Sequence, residues 1–217
     1  TGEGCGAGGL SVGMGLGRRV GVIGPNGGGE STLVSLVAGA LDPPKGDSRR
    51  RHKLRIGRYS QHFVDVLSMD ENPVQYLLRL YLKPEGGSYK PEEIRAKLGK
   101  FGLPGHNHLT PIVKLSGGQK ARVVFTSIQL SNPHILLMDE PTNHLDMESI
   151  DALAKALEEF EGGVVLITHD AHICSKVLDA ETSEIWVVDE GEVTKFDGDF
   201  AEYRRQLVAE IGAELDE

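Results

Sequence analysis

The stretch Gly24-Pro25-Asn26-Gly27-Gly28-Gly29-Glu30-Ser31-Thr32 constrains this chain most, because it joins the apolar run Val20-Gly21-Val22-Ile23 to a helix-like segment from Thr32 to Ala38. A strand run, a glycine-rich turn and a helix start, in that order, aim backbone N–H groups into a small concavity and read as a phosphate-binding loop. In the pattern GxxxxGK[ST] the lysine reaches the terminal phosphates and the hydroxyl ligates Mg²⁺. Here the framing glycines are Gly24 and Gly29 and the hydroxyl is Ser31, but the lysine position holds Glu30. An anion stands where a cation would meet phosphate.

The 217 residues suit one α/β domain with room for a subdomain and a sizeable core. A formal net charge of -9 argues against a surface that is wholly a nucleic-acid footprint. Cys5 and Cys174 lie far apart and form no CxxC pair, so neither a disulfide framework nor a zinc site is expected, and a reducing, cytoplasmic setting is. No apolar run approaches the roughly 18 residues of a membrane span, and no signal-peptide pattern opens the chain. Its first residue, Thr1, reads as the start of an excised piece.

Residues 1–17 are dominated by glycine and are expected to be poorly ordered. Beyond them, Asp42 to Asp47 is turn chemistry, the basic run Arg49 to Arg51 reads as a solvated face, and Leu54 to Tyr59 is strand-like. Helical periodicity takes over between Asn72 and Asn132. Asn72-Pro73 is a start signal, Pro91 opens a second helix, and Ser116 caps a third that carries Ala121, Val124, Phe125 and Ile128 on one face. Strands at Ile135 to Met138, Val164 to Ile167 and Ile185 to Val188 then alternate with helices from Met147 and Ala171, which predicts a largely parallel sheet. A hairpin leads into Val193 to Phe196, and a last helix places Phe200, Tyr203, Leu207 and Ile211 in phase. Methionine and aromatic positions on the helices are expected in the core. His106-Asn107-His108 has no third ligand at metal spacing and reads as loop histidines.

The loop has company. Ile135 to Met138 is an apolar strand run that ends in Asp139 and Glu140, as nucleotide hydrolysis requires: one carboxylate for Mg²⁺ and one to polarise water. Lys114-Leu115-Ser116-Gly117-Gly118-Gln119 puts serine and two glycines at a helix start, where unpaired amides favour phosphate. Together these pieces resemble the nucleotide-binding cassette of the ABC superfamily over about residues 18–205. Leu115 to Gln119 matches the LSGGQ signature, Asp139 and Glu140 match the Walker B aspartate and catalytic glutamate, Gln61 falls at the glutamine loop, and His169 matches the switch histidine. Glu140-Pro141-Thr142-Asn143-His144-Leu145-Asp146 resembles the EPTNHLD of ABC-F proteins, and Gly198-Asp199-Phe200-Ala201-Glu202-Tyr203 their GDFxxY tail. The likeness is to the C-terminal cassette of the eukaryotic general-control non-derepressible type.

The resemblance implies an α/β P-loop NTPase fold: a core at 18–68 and 133–199, a helical subdomain inserted at 69–132, and a C-terminal helix and tail at 200–217. It implies ATP with Mg²⁺, the metal held by Ser31 and Asp139, with Gln61 linking metal or attacking water to the helical arm. Glu140 would be the general base and His169 a contact to the γ-phosphate. Ser116, Gly117, Gly118 and Gln119 would act in trans on nucleotide held by a second cassette, with Asp146 and His144 in the D-loop. Ribosome action in translation is implied for the whole protein, without a membrane domain in this chain. Two departures accompany these matches: Glu30, and the absence of any Phe, Trp or Tyr before Tyr59, where the family stacks adenine on an aromatic ring. Lysine to glutamate changes the local charge by about two units beside triphosphate. A carboxylate at a helix N-terminus is itself stabilised by roughly 0.3–1 kcal/mol. Glu30 is therefore expected to leave folding intact while competing with phosphate for the same amides. Three functions stay open: half of an ABC-F translation ATPase, a degenerate cassette supplying only its signature in trans, or a nucleotide-binding subunit of a membrane transporter.

Overall fold

A computed structural model describes residues 17–24, 54–60, 62–178, 183–189 and 192–215. The glycine-rich residues 1–16, the helix-like segment Thr32 to Ala38, the turn at Asp42 to Asp47 and the basic run Arg49 to Arg51 lie outside them.

Strands β1 (Arg19–Ile23), β2 (Ile56–Tyr59), β3 (Ile135–Asp139), β4 (Gly163–Ile167), β5 (Ser183–Asp189) and β6 (Glu192–Phe196) form one sheet in the order β2-β3-β4-β1-β5-β6. All neighbours run parallel except the final β5–β6 hairpin. The parallel strands read as unbroken apolar runs because both faces are covered. Alternate residues divide between them: Leu137, Val165, Val20 and Trp186 cluster on one face, and Leu136, Val164 and Leu166 pack with the helices on the other. The fold is thus a mixed α/β cassette with a largely parallel sheet.

Four helices, α1 (His62–Asp65), α2 (Pro73–Leu80), α3 (Pro91–Lys100) and α4 (Gly117–Leu130), separate β2 from β3. Sequence chemistry sets their starts. Asn72 Oδ1 accepts from the Gln75 amide at 2.9 Å while the Gln75 side chain accepts from the Asn72 amide at 3.3 Å, a capping box ahead of Pro73. Helix α4 departs from the narrow apolar stripe expected of it, since every residue from Ala121 to Ser127 is buried, Arg122 and Thr126 included. The reason is its central position. Phe125 packs against Tyr59 at a ring separation of 4.5 Å and Phe101 at 6.2 Å, and Ser127 Oγ meets Tyr81 Oη at 2.6 Å.

Helix α5 (Met147–Glu158) crosses from β3 to β4, and α6 (Ala171–Val177) follows β4. Arg19, 8% exposed, ties the start of β1 to the end of α5. Its Nη1 donates to Gly162 O at 2.7 Å and its Nη2 to Leu157 O at 3.1 Å, with Phe160 O also in the fork. Met147 corrects the expectation that helix methionines are core. It stands at the first position of α5, beyond the packed faces, and is 57% exposed.

The tail helix α7 (Phe200–Leu215) begins with a second capping pair, Asp199 Oδ1 accepting from the Glu202 amide at 2.8 Å and Glu202 Oε2 from the Asp199 amide at 3.1 Å. Gly198 takes φ +152° ahead of it, and Tyr203 meets Phe196 edge-on at 5.3 Å. These contacts give the Gly198 to Tyr203 stretch its physical sense. Leu207, placed in the same stripe by periodicity, remains 41% exposed.

Candidate functional site

Strand register assembles the first cluster. Asp139, last in β3, pairs with Ile167, last in β4, and the Glu140 amide donates to Ile167 O at 2.8 Å. The next residues of both strands therefore emerge side by side: Glu140 from β3, Thr168 and His169 from β4. Val22 of β1 also pairs with Ile167, so Gly24 leaves the sheet at the same edge, and one cleft is lined by Gly24, Thr168, His169 and, from α7, Tyr203 and Arg204. Glu140 holds φ +43° and His144 φ +62°, left-handed conformations that non-glycine residues seldom adopt outside functional loops.

Glu140 Oε1 lies 3.3 Å from His169 Nε2. Burial pushes the Glu140 carboxyl above its ordinary value, while His169 and a hydrogen bond from Thr168 pull it back and Asp139 pushes it up. Asp139 is raised by the same cause, and Arg58 opposes the rise from 3.9 Å. Two adjacent half-buried carboxylates that burial pushes up are a donor set that suits a hard divalent cation. Among the described residues no three His, Cys, Asp or Glu side chains converge to hold a metal. Asp170 completes this edge by capping α6, accepting from the His172 amide at 2.8 Å, while its own amide donates to Thr168 Oγ1 at 3.1 Å.

The second cluster surrounds the start of α4. Ser116 Oγ accepts from the Gln119 amide at 3.2 Å and the Gln119 side chain accepts from the Ser116 amide at 3.0 Å. That box uses two donors and leaves the Gly117 and Gly118 amides in the first turn without an intrahelical acceptor. Ser116 and Gly117 are exposed and Gly118 is buried. Asp146 caps α5 by accepting from the Ser149 amide at 2.7 Å, and its hydrogen bonds with Ser149 hold it below the usual carboxylate range. His144 is exposed in the turn before it.

Gly24, Asp139, Glu140 and His169 are thus brought together, as are Ser116 to Gln119 with Asp146. Pro25 to Thr32, Glu30 and Ser31 among them, and Gln61 lie outside the described residues. Tyr59 is fully buried against Phe125, so the first aromatic residue of the chain offers no stacking face to a ligand. His108 is also buried, its Nε2 meeting Leu103 O at 2.8 Å. Sequence reasoning missed Arg58, Thr168 and Ser149. Of these only Ser149 left a signal, three residues after a cap-forming aspartate.

Comparison with known proteins follows the same lines. The family described as ABC transporter matches residues 8–143. ABC transporter F family member 4 of Arabidopsis thaliana is 65% identical over 209 residues, 96% of this chain and 29% of that protein. ATP-binding cassette sub-family F member 2 of Mus musculus is 43% identical over 202 residues, 93% of this chain and 31% of its own length. The chain therefore spans about three-tenths of these relatives. Among solved structures, the dimeric post-hydrolysis state of the ATP-binding cassette MJ0796 bound to ADP and Pi superposes with a TM-score of 0.63 at 25% identity, covering 86% of this chain and 89% of that one. With the family match extending over more than half of its length and two clusters built as described, the chain belongs to the ABC transporter family, as an ATP-binding cassette of the ABC-F type.

Proposed function

We propose that this cassette binds ATP with Mg²⁺ and takes part in its hydrolysis together with a second cassette, driving an action on the ribosome in translation. The observation that carries the reading is the Glu140–His169 pair, 3.3 Å apart at the strand edge from which Gly24 leaves. A carboxylate raised by burial takes a proton from water more readily than an ordinary one, and an adjacent imidazole fixes its orientation. Asp139 and Ser31, with Gln61, would hold Mg²⁺, which when bound would supply charge neutralisation at the phosphates. Exposed Ser116 and Gly117, with the first-turn amides of α4, suit a phosphate presented by a facing cassette. The ribosomal part rests on the Glu140 to Asp146 and Gly198 to Tyr203 motifs and the F-family relatives.

Glu30 and the missing adenine platform favour a second reading, in which this cassette no longer turns over nucleotide at its own loop and supplies only Ser116 to Gln119 to its partner. Phosphate release by the complete two-cassette protein separates the readings. Glu140→Gln lowers turnover by at least about 100-fold if the local site works. If Glu30→Lys creates ATP binding that the parent protein lacks, the second reading holds. If Glu30→Lys gains nothing while Glu140→Gln abolishes an existing activity, it fails. Co-sedimentation of the Glu140→Gln protein with ribosomes in ATP tests the partner, and an unbound protein would remove translation from the proposal.

A further inference from the structure

The buried cation in α4 has no part in the chemistry above, yet it follows the Ser116 to Gln119 cap in the same helix and reaches across to the start of α5. Arg122 is 5% exposed. Its Nη1 donates to Gly102 O, its Nη2 donates to Ser149 Oγ at 2.8 Å, and the same Nη2 stands 3.9 Å from Asp146 Oδ1. Ser149, 2% exposed, in turn hydrogen-bonds Asp146 through both its side chain and its amide. Gly118 closes the arrangement from the other side, since a Cβ built there would lie 2.9 Å from Ser149 Oγ. That hydroxyl cannot swing aside without releasing both the guanidinium and the carboxylate.

We infer that Arg122 and Ser149 are positioning residues that lock the Ser116 to Gln119 turn and the Asp146 turn of one cassette into a single rigid unit, and that position 118 is glycine because this lock demands it. The inference rests on the proposed two-cassette site for its consequence, but the lock stands on geometry within one chain. A rigid unit matters because the Ser116 turn faces a nucleotide outside its own cassette, while Asp146 follows directly on the loop from Glu140. Moving one turn then moves the other. The planar fork of arginine suits the task, because it reaches a carbonyl and a hydroxyl at once, which a lysine ammonium at the end of a flexible stem does not. The need for glycine at 118 is therefore met inside the cassette, before any ligand is considered.

The test is a double-mutant cycle in the complete two-cassette protein, read by thermal melting and by ATPase kinetics. Gly118→Ala alone lowers the melting temperature by about 4 °C through overpacking. In the Ser149→Ala background it costs nothing further, because the nearest remaining atom, Ser149 Cβ, lies 3.8 Å away and alanine favours the helix. Equal costs in both backgrounds overturn the lock. Arg122→Lys, a milder change, lowers kcat by about tenfold with KM for ATP within about twofold, the mark of misplacement without lost binding. An unchanged kcat, or a fall in kcat and rise in KM that track melting alone, overturns the positioning role. A parent protein that neither binds nor hydrolyses ATP would instead defeat the functional reading, and the melting cycle would still decide the lock.

Discussion

The two clusters solve opposite electrostatic problems. At the strand edge, Asp139 and Glu140 are half-buried with their carboxyls raised, and Arg58 stands 3.9 Å from Asp139. At the start of α4, Arg122 has a carbonyl, a hydroxyl and a carboxylate around it, and Asp146 is held below its ordinary range. The first cluster keeps two partly desolvated carboxyls side by side and is strained at Glu140. The second is tied together by hydrogen bonds within the cassette, from Arg122 to Gly102 O and Ser149 Oγ and from the Ser149 amide to Asp146. A site that receives a divalent cation gains from partly desolvated carboxylates, whereas a surface that must present amides in a fixed orientation gains from a rigid hydrogen-bonded frame.

That contrast predicts which substitutions change rate and which change stability. The largest effect belongs to Glu140→Gln, which removes the proposed base and lowers kcat by about 100-fold or more while ATP still binds, as single-turnover phosphate release and filter binding will show. His169→Gln comes next, lowering kcat by about tenfold. His169 favours the charged form of Glu140, so its removal raises that carboxyl further. The acidic limb of the pH–kcat profile then moves to higher pH. A limb that stays put or moves down would break the pairing.

Ser116→Ala removes a helix cap from the second cluster and costs about 1 kcal/mol, read as a melting temperature lower by about 3 °C. Asp139→Asn is the smallest effect and has the opposite sign. A carboxyl whose folded pKa is raised destabilises the fold as pH climbs from its unfolded value through its folded one. The neutral amide therefore raises the melting temperature by about 2 °C at pH 7 in nucleotide-free protein, and the gain vanishes below the ordinary carboxylate range. Loss of stability at both Ser116 and Asp139 would erase the distinction between the clusters.

Local chemistry was legible where a motif and a hydrogen bond coincide. Ser116 with Gln119, Asn72 with Gln75, and Asp199 with Glu202 are reciprocal caps three residues apart, and sequence spacing alone announces them. The strand order is less visible, because alternation of strands and helices implies parallel pairing but does not say that the first strand sits between the third and fourth parallel ones to follow it. Arg122 was illegible for a different reason. A charged residue inside an apolar helix reads as one polar face, and only the convergence of Gly102 and Ser149 from distant segments shows that this face is enclosed.

The position of β1 bears on how the chain is made. Its partners are Val164 and Ser183 opposite Arg19, so the centre of the sheet waits for residues some 140 positions later. The helices between β2 and β3 make their contacts over much shorter separations and can assemble as they emerge during synthesis. Gly24 hangs from the one strand that must idle longest. The edge that carries Asp139, Glu140 and His169 is accordingly among the last parts to form, so a ribosome stalled before Gly163 would hold a chain with a folded signature helix and no nucleotide edge to serve.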